Sequence, residues 1–214
     1  MDSLFDAANG GENREERLGE LARQVAVCTR CDLALSRTNT VFGSGDPYSP
    51  LMLVGEGPGE NEDATGLPFV GRAGKLLDDI LAAVDLTRQD VYLTNIVKCR
   101  AAVEEGGRMK NRQPRTSEIK ACNIYLQGQT EAIKPKLILC LGGPAAKTVI
   151  DKDFRITKER GKWFEVNGTK VVATFHPAYV LRQRGEDLDR AKRAVWKDIQ
   201  NVYAEYQKAM EERG

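Results

Sequence analysis

The stretch Leu51-Met-Leu-Val-Gly-Glu-Gly-Pro-Gly59 decides the fold of this chain. A short apolar run that passes directly into a Gly/Pro segment is typical of a strand that is buried on both faces and ends in a tight turn. Three further runs share this pattern, and each ends beside glycine, proline or a lone polar residue. The sequence therefore predicts four buried strands: Leu51–Gly55, Val91–Asn95, Leu137–Leu141 and Val171–Phe175.

Helical patterns separate these strands. Three of them lie between consecutive strands and a long one follows the last: Ala73–Val84, Thr116–Ile133, Pro144–Ile150 and Leu188–Met210. Strands that alternate with helices indicate βαβ units and a parallel sheet with helices on both faces. The predicted fold class is α/β, a three-layer α/β/α sandwich around a four-stranded parallel sheet. Residues 1–13 are predicted to be a flexible polar lead, and residues 14–214 a single domain.

The composition of the 214-residue chain is that of a soluble globular protein, with 41% hydrophobic and 29% charged residues. It has no long apolar run, so no membrane span is predicted. Its N-terminus is polar and acidic, unlike a secretory or transit peptide, and we expect a cytoplasmic protein. Because 32 basic residues balance 31 acidic ones, a nucleic-acid partner can be indicated only by local charge.

Five cysteines, an odd number, argue against a disulfide framework in a reducing compartment. Cys28 and Cys31 have a spacing shared by metal sites and redox dithiols, but they follow an amphipathic helical stretch rather than a strand, which favours a metal site. Cys99 and Cys122 are the natural second pair, whereas Cys140 is predicted to be a buried apolar thiol. Four such thiolates suit either a four-iron four-sulfur cluster or a tetrahedral zinc ion, and their spacing does not separate the two.

Segments rich in glycine, proline or lone polar residues follow all four strands. They are Gly55–Gly59, Thr94-Asn95, Gly142–Pro144 and His176–Tyr179. In open parallel sheets, ligands bind outside the carboxyl ends of the strands, so these segments predict one shared active site. A dinucleotide cofactor is disfavoured, because Pro58 interrupts the glycine pattern and Glu60 replaces its third glycine.

Two side chains in these segments suggest chemistry, as does Phe69 in the Gly/Pro-rich loop that follows the first of them. His176, the only histidine, could donate a hydrogen bond to an anion that develops on a leaving group, although a lone histidine is more often structural. Asn95 carries a donor and an acceptor in one plane, which complements uracil and not cytosine; the alternative is a simple strand-end turn. Phe69 is either a stacking platform or a core residue. Glu56 and Glu62 flank the Gly/Pro loop and singly indicate little.

Local basic charge supplies a candidate partner. The stretch 98–115 has two acidic residues against six basic ones, which are Lys98, Arg100, Arg108, Lys110, Arg112 and Arg115. Arg182 and Arg184 closely follow His176. Basic groups that flank a crevice suit phosphate binding, and a solvated loop is the alternative for each cluster.

Three motifs resemble the family 4 uracil-DNA glycosylases: Gly55–Gly74, Leu93–Arg100 and Phe175–Arg182. The resemblance runs from about residue 28 to residue 196. It implies the α/β/α fold, and it favours a four-iron four-sulfur cluster over zinc on Cys28, Cys31, Cys99 and Cys122, which would tie the N-terminal helix and loop. It also implies roles in the site: Phe69 stacks on a flipped uracil, Asn95 binds the uracil edge, Gly57 offers its backbone amide, His176 stabilises negative charge at O2, and Glu56 and Glu62 are acidic positions that the family uses.

The implied activity is that of a DNA repair hydrolase, which releases free uracil from single- or double-stranded DNA and leaves an abasic site. The expected enzyme is a monomer whose Arg112 and Arg182 contact DNA, while Val180 and Leu181 fill the gap left by the base. Gly57 stands where better-known uracil-DNA glycosylases have an aspartate. The water-activating group therefore stays open between Glu56, Glu62 and electrostatic stabilisation alone.

One departure from the resemblance is the spacing of 22 residues between Cys99 and Cys122. Ala101–Pro114 is predicted to be a lengthened loop. In the related family X glycosylases, a histidine of this loop traps the sugar covalently. This chain has Asn111 there and keeps Cys99, so ordinary turnover is expected. The alternatives are a family X-like variant and a non-catalytic iron–sulfur or zinc module that binds nucleic acid.

Overall fold

The computed structural model describes residues 14–212, so the predicted lead at residues 1–13 lies outside the described residues. The helices are α1 Arg14–Ala26, α2 Glu60–Thr65, α3 Arg72–Ala82, α4 Thr116–Ile133, α5 Gly143–Val149, α6 Ile156–Glu159, α7 Pro177–Arg182 and α8 Gly185–Glu211, with a 3-10 turn at Asp32–Leu35. The strands are β1 Ser44–Gly45, β2 Leu51–Gly55, β3 Tyr92–Asn95, β4 Ala102–Glu105, β5 Arg108–Asn111, β6 Leu137–Leu141, β7 Phe164–Val166 and β8 Thr169–Thr174. None of the described helices combines the length and the apolar character needed to cross a bilayer.

The main sheet has the strand order β1-β3-β2-β6-β8-β7. The four predicted strands are confirmed as its centre, and β3, β2, β6 and β8 pair in parallel. The expected count of four was wrong, because β1 and β7 add an antiparallel strand at each edge. These edge strands have two and three residues and are only partly buried, so they lack the apolar run that marks the central strands.

The three-layer arrangement is confirmed by the two sides of the central strands. In β2, Met52 and Val54 pack into one core cluster, whereas Leu51 and Leu53 pack into another. Helices α1, α4 and α5 contribute to the first cluster, and α3 and α8 contribute to the second. Because successive strand residues point to opposite faces, an unbroken apolar run requires a helical layer on each side.

The predicted lengthened loop forms a β-hairpin, in which β4 pairs with β5 in antiparallel register. Gly106 and Gly107 connect the strands with φ angles of 62° and 73°. Positive φ at both central residues is the geometry of a type I′ turn, which glycine adopts without strain. The hairpin is thus a defined element whose base lies beside the ends of the central strands.

Candidate active site

A cleft of about 550 Å³ lies at the carboxyl ends of the four parallel strands. Its lining includes residues from all four predicted segments, namely Glu56, Gly57, Asn95, Gly142, Gly143, Pro144 and His176. The predicted convergence is therefore confirmed, and the volume lies in the range of small-molecule sites. Ile156 and Thr157 also line the cleft. The sequence does not indicate them, because the short helix α6 carries no chemical motif.

Phe69 lies between the core and the cleft. It packs in the same cluster as Leu77 and also lines the cleft, with its ring centroid 6.4 Å from that of His176. Its backbone has the unusual φ of 55°, and the Arg88 guanidinium donates hydrogen bonds to the carbonyl oxygens of Pro68 and Phe69. The loop therefore holds the ring in place, as a stacking platform requires.

Asn95 ends β3 and is 2% exposed. Its Oδ1 is a buried side-chain acceptor without a hydrogen-bond partner in the described part of the chain. An unpaired buried acceptor costs free energy, so its retention beside a cleft indicates that a ligand donates to it. Gly55 makes room for this arrangement, because a Cβ there would lie 2.4 Å from Oδ1 of Asn95 and 2.6 Å from Cζ of Phe69.

His176 presents a defined tautomer to the cleft. Its Nδ1 accepts a hydrogen bond of 3.0 Å from the backbone N–H of Ala178. Burial, assisted by the positive charge of Arg182 and opposed by Glu62, lowers the pKa of His176 to about 4. The imidazole is therefore neutral near pH 7, and its proton is carried by Nε2. The group that it offers to a ligand is a single N–H donor.

The two carboxylates of the Gly/Pro loop have different surroundings. Glu62 shapes the loop: its Oε2 accepts a hydrogen bond from the N–H of Gly59 at 3.0 Å, and its Oε1 accepts one from Gly71 at 2.7 Å. Glu56 lines the cleft, and its pKa is raised there because the effect of burial exceeds the opposing effect of the nearby Arg182. Each oxygen of Glu62 thus accepts one backbone N–H, whereas the carboxylate of Glu56 accepts none among the described residues.

Known proteins match this chain across the residues that form the cleft. The sequence profile of the uracil DNA glycosylase superfamily matches residues 42–200, which include every residue of the cleft lining. The chain belongs to this superfamily. It is 44% identical to the type-4 uracil-DNA glycosylase of Thermotoga maritima over 191 residues, which cover 88% of this chain and 94% of that protein. It is 42% identical to the enzyme of the same name from Archaeoglobus fulgidus over 174 residues, which cover 78% and 84% of the two chains.

The four cysteines predicted as ligands meet in this superfamily member. Cys28, Cys31, Cys99 and Cys122 line one cavity, and Cys140 lies apart from it within β6. Two N–H groups already point at the sulfurs: Nη1 of Arg37 donates to Sγ of Cys99, and the backbone of Lys98 donates to Sγ of Cys122, both at 3.3 Å. Such donors stabilise thiolates, so the donor set fits a cysteine-ligated cluster.

The basic surface of this superfamily member is smaller than its sequence predicted. Lys98 is 1% exposed, so its assignment to a basic surface was wrong. Arg112 lines the cleft, but its guanidinium makes a two-fold contact with the buried carboxylate of Glu118, at 2.6 Å and 2.8 Å. Arg182 and Arg72 are both exposed at the cleft, and within residues 14–212 neither forms an ion pair.

The two residues of α7 that were expected to fill the gap left by the base differ in their surroundings. Val180 is 2% exposed and packs with Ala191 and Val195 of α8, so the expectation that it enters DNA was wrong. Leu181 is half-buried at the end of α7, next to Arg182. The sequence could not separate the two, because a helix turns neighbouring residues by about 100° and only packing against α8 selects the buried one.

Proposed function

We propose that this protein is a uracil-DNA glycosylase, which hydrolyses the N-glycosidic bond of deoxyuridine in DNA and leaves an abasic site. The observation that carries the proposal is the unpaired, buried Oδ1 of Asn95 in a cleft that also presents the neutral N–H donor of His176. Oδ1 accepts the N3–H of uracil and the amide nitrogen donates to O4. Cytosine has an acceptor at N3 and a donor at C4, so it would be repelled at both atoms.

The reaction follows from these groups. The nucleotide leaves the base stack, at a cost of a few kcal/mol that is smallest for mispaired or single-stranded uracil, and its base stacks on Phe69. The C1′–N1 bond breaks with its electron pair going to the base, and negative charge spreads to O2 and O4. Nε2–H of His176 and the backbone N–H of Gly57 donate to O2. Each such preorganised donor contributes about 10²–10³ in rate.

Water then attacks the cationic C1′ of the sugar and loses a proton, which balances the one that the departing uracil anion takes up. We assign the orientation of this water to Glu56 rather than Glu62, because both oxygens of Glu62 already accept backbone N–H groups. The raised pKa of Glu56 supports this role, since a buried carboxylate is a stronger base than an exposed one.

DNA binding is proposed for the cleft mouth. Arg182 would contact a phosphate, and the half-buried Leu181 would fill the space left by the extruded base. We propose that Arg112, expected from the sequence to bind DNA, instead holds the base of the hairpin against α4 through Glu118. We also retain the expectation of a monomeric, cytoplasmic enzyme.

The cysteine-lined cavity is proposed to hold a four-iron four-sulfur cluster on Cys28, Cys31, Cys99 and Cys122. Four cysteine thiolates around one cavity are a donor set that suits such a cluster. It would act structurally, by joining the segment after α1 to the end of β3 and to α4.

The decisive experiment measures free uracil released from an oligonucleotide that contains deoxyuridine. We expect release by the wild type, and losses of about 10² or more for Asn95→Ala and His176→Ala with DNA binding largely retained. Binding of the same DNA without uracil release would favour the alternative, a non-catalytic nucleic-acid-binding module. A stable covalent adduct would instead favour the family X-like alternative.

A further inference from the structure

Lys98 is buried in the interior, three residues after Asn95 and one residue before Cys99. Its Nζ has three hydrogen-bond partners: Oγ1 of Thr94 at 2.6 Å, the carbonyl oxygen of Asn95 at 2.7 Å and Oε1 of Gln129 at 2.6 Å. An amine is costly to bury, and in the described part of the chain no carboxylate pairs with it, although the Cys122 thiolate is close enough to favour its positive charge. The burial of Lys98 therefore indicates that its hydrogen bonds have a specific structural or functional role.

The contacts of Nζ brace the end of β3. The amine donates hydrogen bonds to Thr94 and Asn95, which lie four and three residues earlier. It therefore links the two ends of the turn that follows Asn95. Gln129 anchors the other end on α4, where its Nε2 donates to the carbonyl oxygen of Phe42 at 2.9 Å. The peptide of Asn95 is therefore fixed from the helix side of the sheet.

The braced turn also holds the loop of the cleft. The backbone N–H of Ile96 donates to the carbonyl oxygen of Gly55 at 2.9 Å, and that of Val97 donates to Glu56 at 3.3 Å. A shift of the turn would therefore move Asn95 and the Gly/Pro loop together. Since Oδ1 of Asn95 has no hydrogen-bond partner among residues 14–212, the orientation of its side chain depends on this backbone.

We infer that Lys98 is a positioning residue for uracil recognition: it holds the Asn95 peptide so that the Asn95 amide meets the uracil edge in the productive orientation. The inference rests on the proposed function, because it concerns the same site. Lys98 does not touch the base. It acts through Asn95, and this distinguishes its effect from that of a residue needed only for folding or for holding the cysteine-lined cavity together.

The test is a double-mutant cycle of Lys98→Met with Asn95→Ala, measured as the single-turnover rate of uracil release. In the wild-type background, Lys98→Met should slow release by about tenfold to a hundredfold, as a misplaced recognition group does. In the Asn95→Ala background, it should slow release by a several-fold smaller factor, because only the part of its effect that passes through the Gly/Pro loop remains. Lys170→Met, at an exposed lysine, is the matched control and should leave the rate unchanged.

Binding supplies a second readout that needs no turnover. The wild type should prefer DNA with 2′-fluoro-2′-deoxyuridine over DNA with 2′-fluoro-2′-deoxycytidine, and Lys98→Met should lose most of this preference with its iron content unchanged. Gln129→Met, which removes one partner of Nζ, should show a smaller loss in the same direction and serves if Lys98→Met does not fold. Equal slowing in both backgrounds, or a wild-type rate in Lys98→Met, would overturn the inference. A wild type that neither releases uracil nor prefers the uridine analogue would instead contradict the proposed function.

Discussion

Nδ1 of His176 accepts a hydrogen bond from the backbone N–H of Ala178, at 3.0 Å. His176 is the N-cap of α7, and the N–H of Ala178 is one of the donors that a helix start leaves without an intrahelical partner. The contact therefore caps the helix and selects the histidine tautomer together. Because Nδ1 is occupied as an acceptor, Nε2 must carry the proton of the neutral ring, which makes it the donor in the cleft.

The pH dependence of uracil release should show no titration of His176 near its ordinary pKa. The pKa of about 4 keeps the ring neutral across the neutral range, so the rate should not change near pH 6.5 on its account. A fall on the acid side is expected instead from Glu56, whose pKa is raised by burial, and it should disappear in Glu56→Gln. Single-turnover rates between pH 5 and 9 check this. A midpoint near 6.5 that vanishes in His176→Gln would contradict it.

The same pKa predicts how stability depends on pH. The unfolded chain binds a proton at His176 near pH 6.5, whereas the folded chain binds it only near pH 4. The contribution of His176 to the free energy of unfolding is therefore constant above pH 6.5 and falls as the pH drops towards 4, by about 3 kcal/mol in total. Urea unfolding of the wild type and His176→Gln at pH 7 and pH 4.5 measures this. The wild type should lose more stability than the variant, and equal losses would refute the shift.

Gly55→Ala should disable the cleft without unfolding the protein. The added Cβ would lie 2.4 Å from Oδ1 of Asn95 and 2.6 Å from Cζ of Phe69, so one or both side chains must move. We expect a loss of about 10² in the single-turnover rate, together with a cooperative thermal transition. Gly19→Ala is the matched control, because its Cβ would meet nothing closer than 3.6 Å, and it should retain full activity. Wild-type activity in Gly55→Ala would show that the close packing is unimportant.

Arg182 and Arg112 should differ in what their loss changes. Arg182→Ala should lower the salt dependence of DNA binding by about one phosphate contact. Arg112→Ala removes the guanidinium partner of the buried Glu118 and leaves it only the backbone N–H of Arg115, so it should lower stability by about 2 kcal/mol and leave the salt dependence unchanged. Binding titrations at several salt concentrations and thermal melts separate the two. A reduced salt slope in Arg112→Ala would restore its expected role in DNA binding.

Substitution of any of the four cysteines that line the cavity should remove the bound iron, whereas substitution of Cys140 should not. Cys122→Ser should lose iron and sulfide and the visible absorption of a cluster, since it lines the shared cavity. Cys140→Ala should keep about four iron atoms per chain, because its thiol lies in β6 away from that cavity. Metal analysis after anaerobic purification checks both. Stoichiometric zinc in the wild type would contradict the cluster assignment.

Much of the fold and cleft could be predicted because the signals are local. The unbroken apolar run of Leu51–Gly55 requires burial on both faces, and strands of this kind bring their carboxyl ends to one edge. The position of Asn95 at a strand end followed from the same pattern. Lys98, by contrast, was assigned to a basic surface, because a sequence carries charge but not the partners that allow an amine to be buried.

The sequence by itself determined the layered α/β architecture, the meeting of four strand ends, and the cysteine pairs, since periodicity and residue type are sufficient for these. Only the tertiary structure decided which groups are free to act. Nδ1 of His176 is occupied by Ala178, both oxygens of Glu62 are occupied by backbone amides, and Oδ1 of Asn95 has no partner among the described residues. The physical reason is that hydrogen-bond capacity is shared among residues distant in sequence, so what remains for a ligand is known only when the chain is folded.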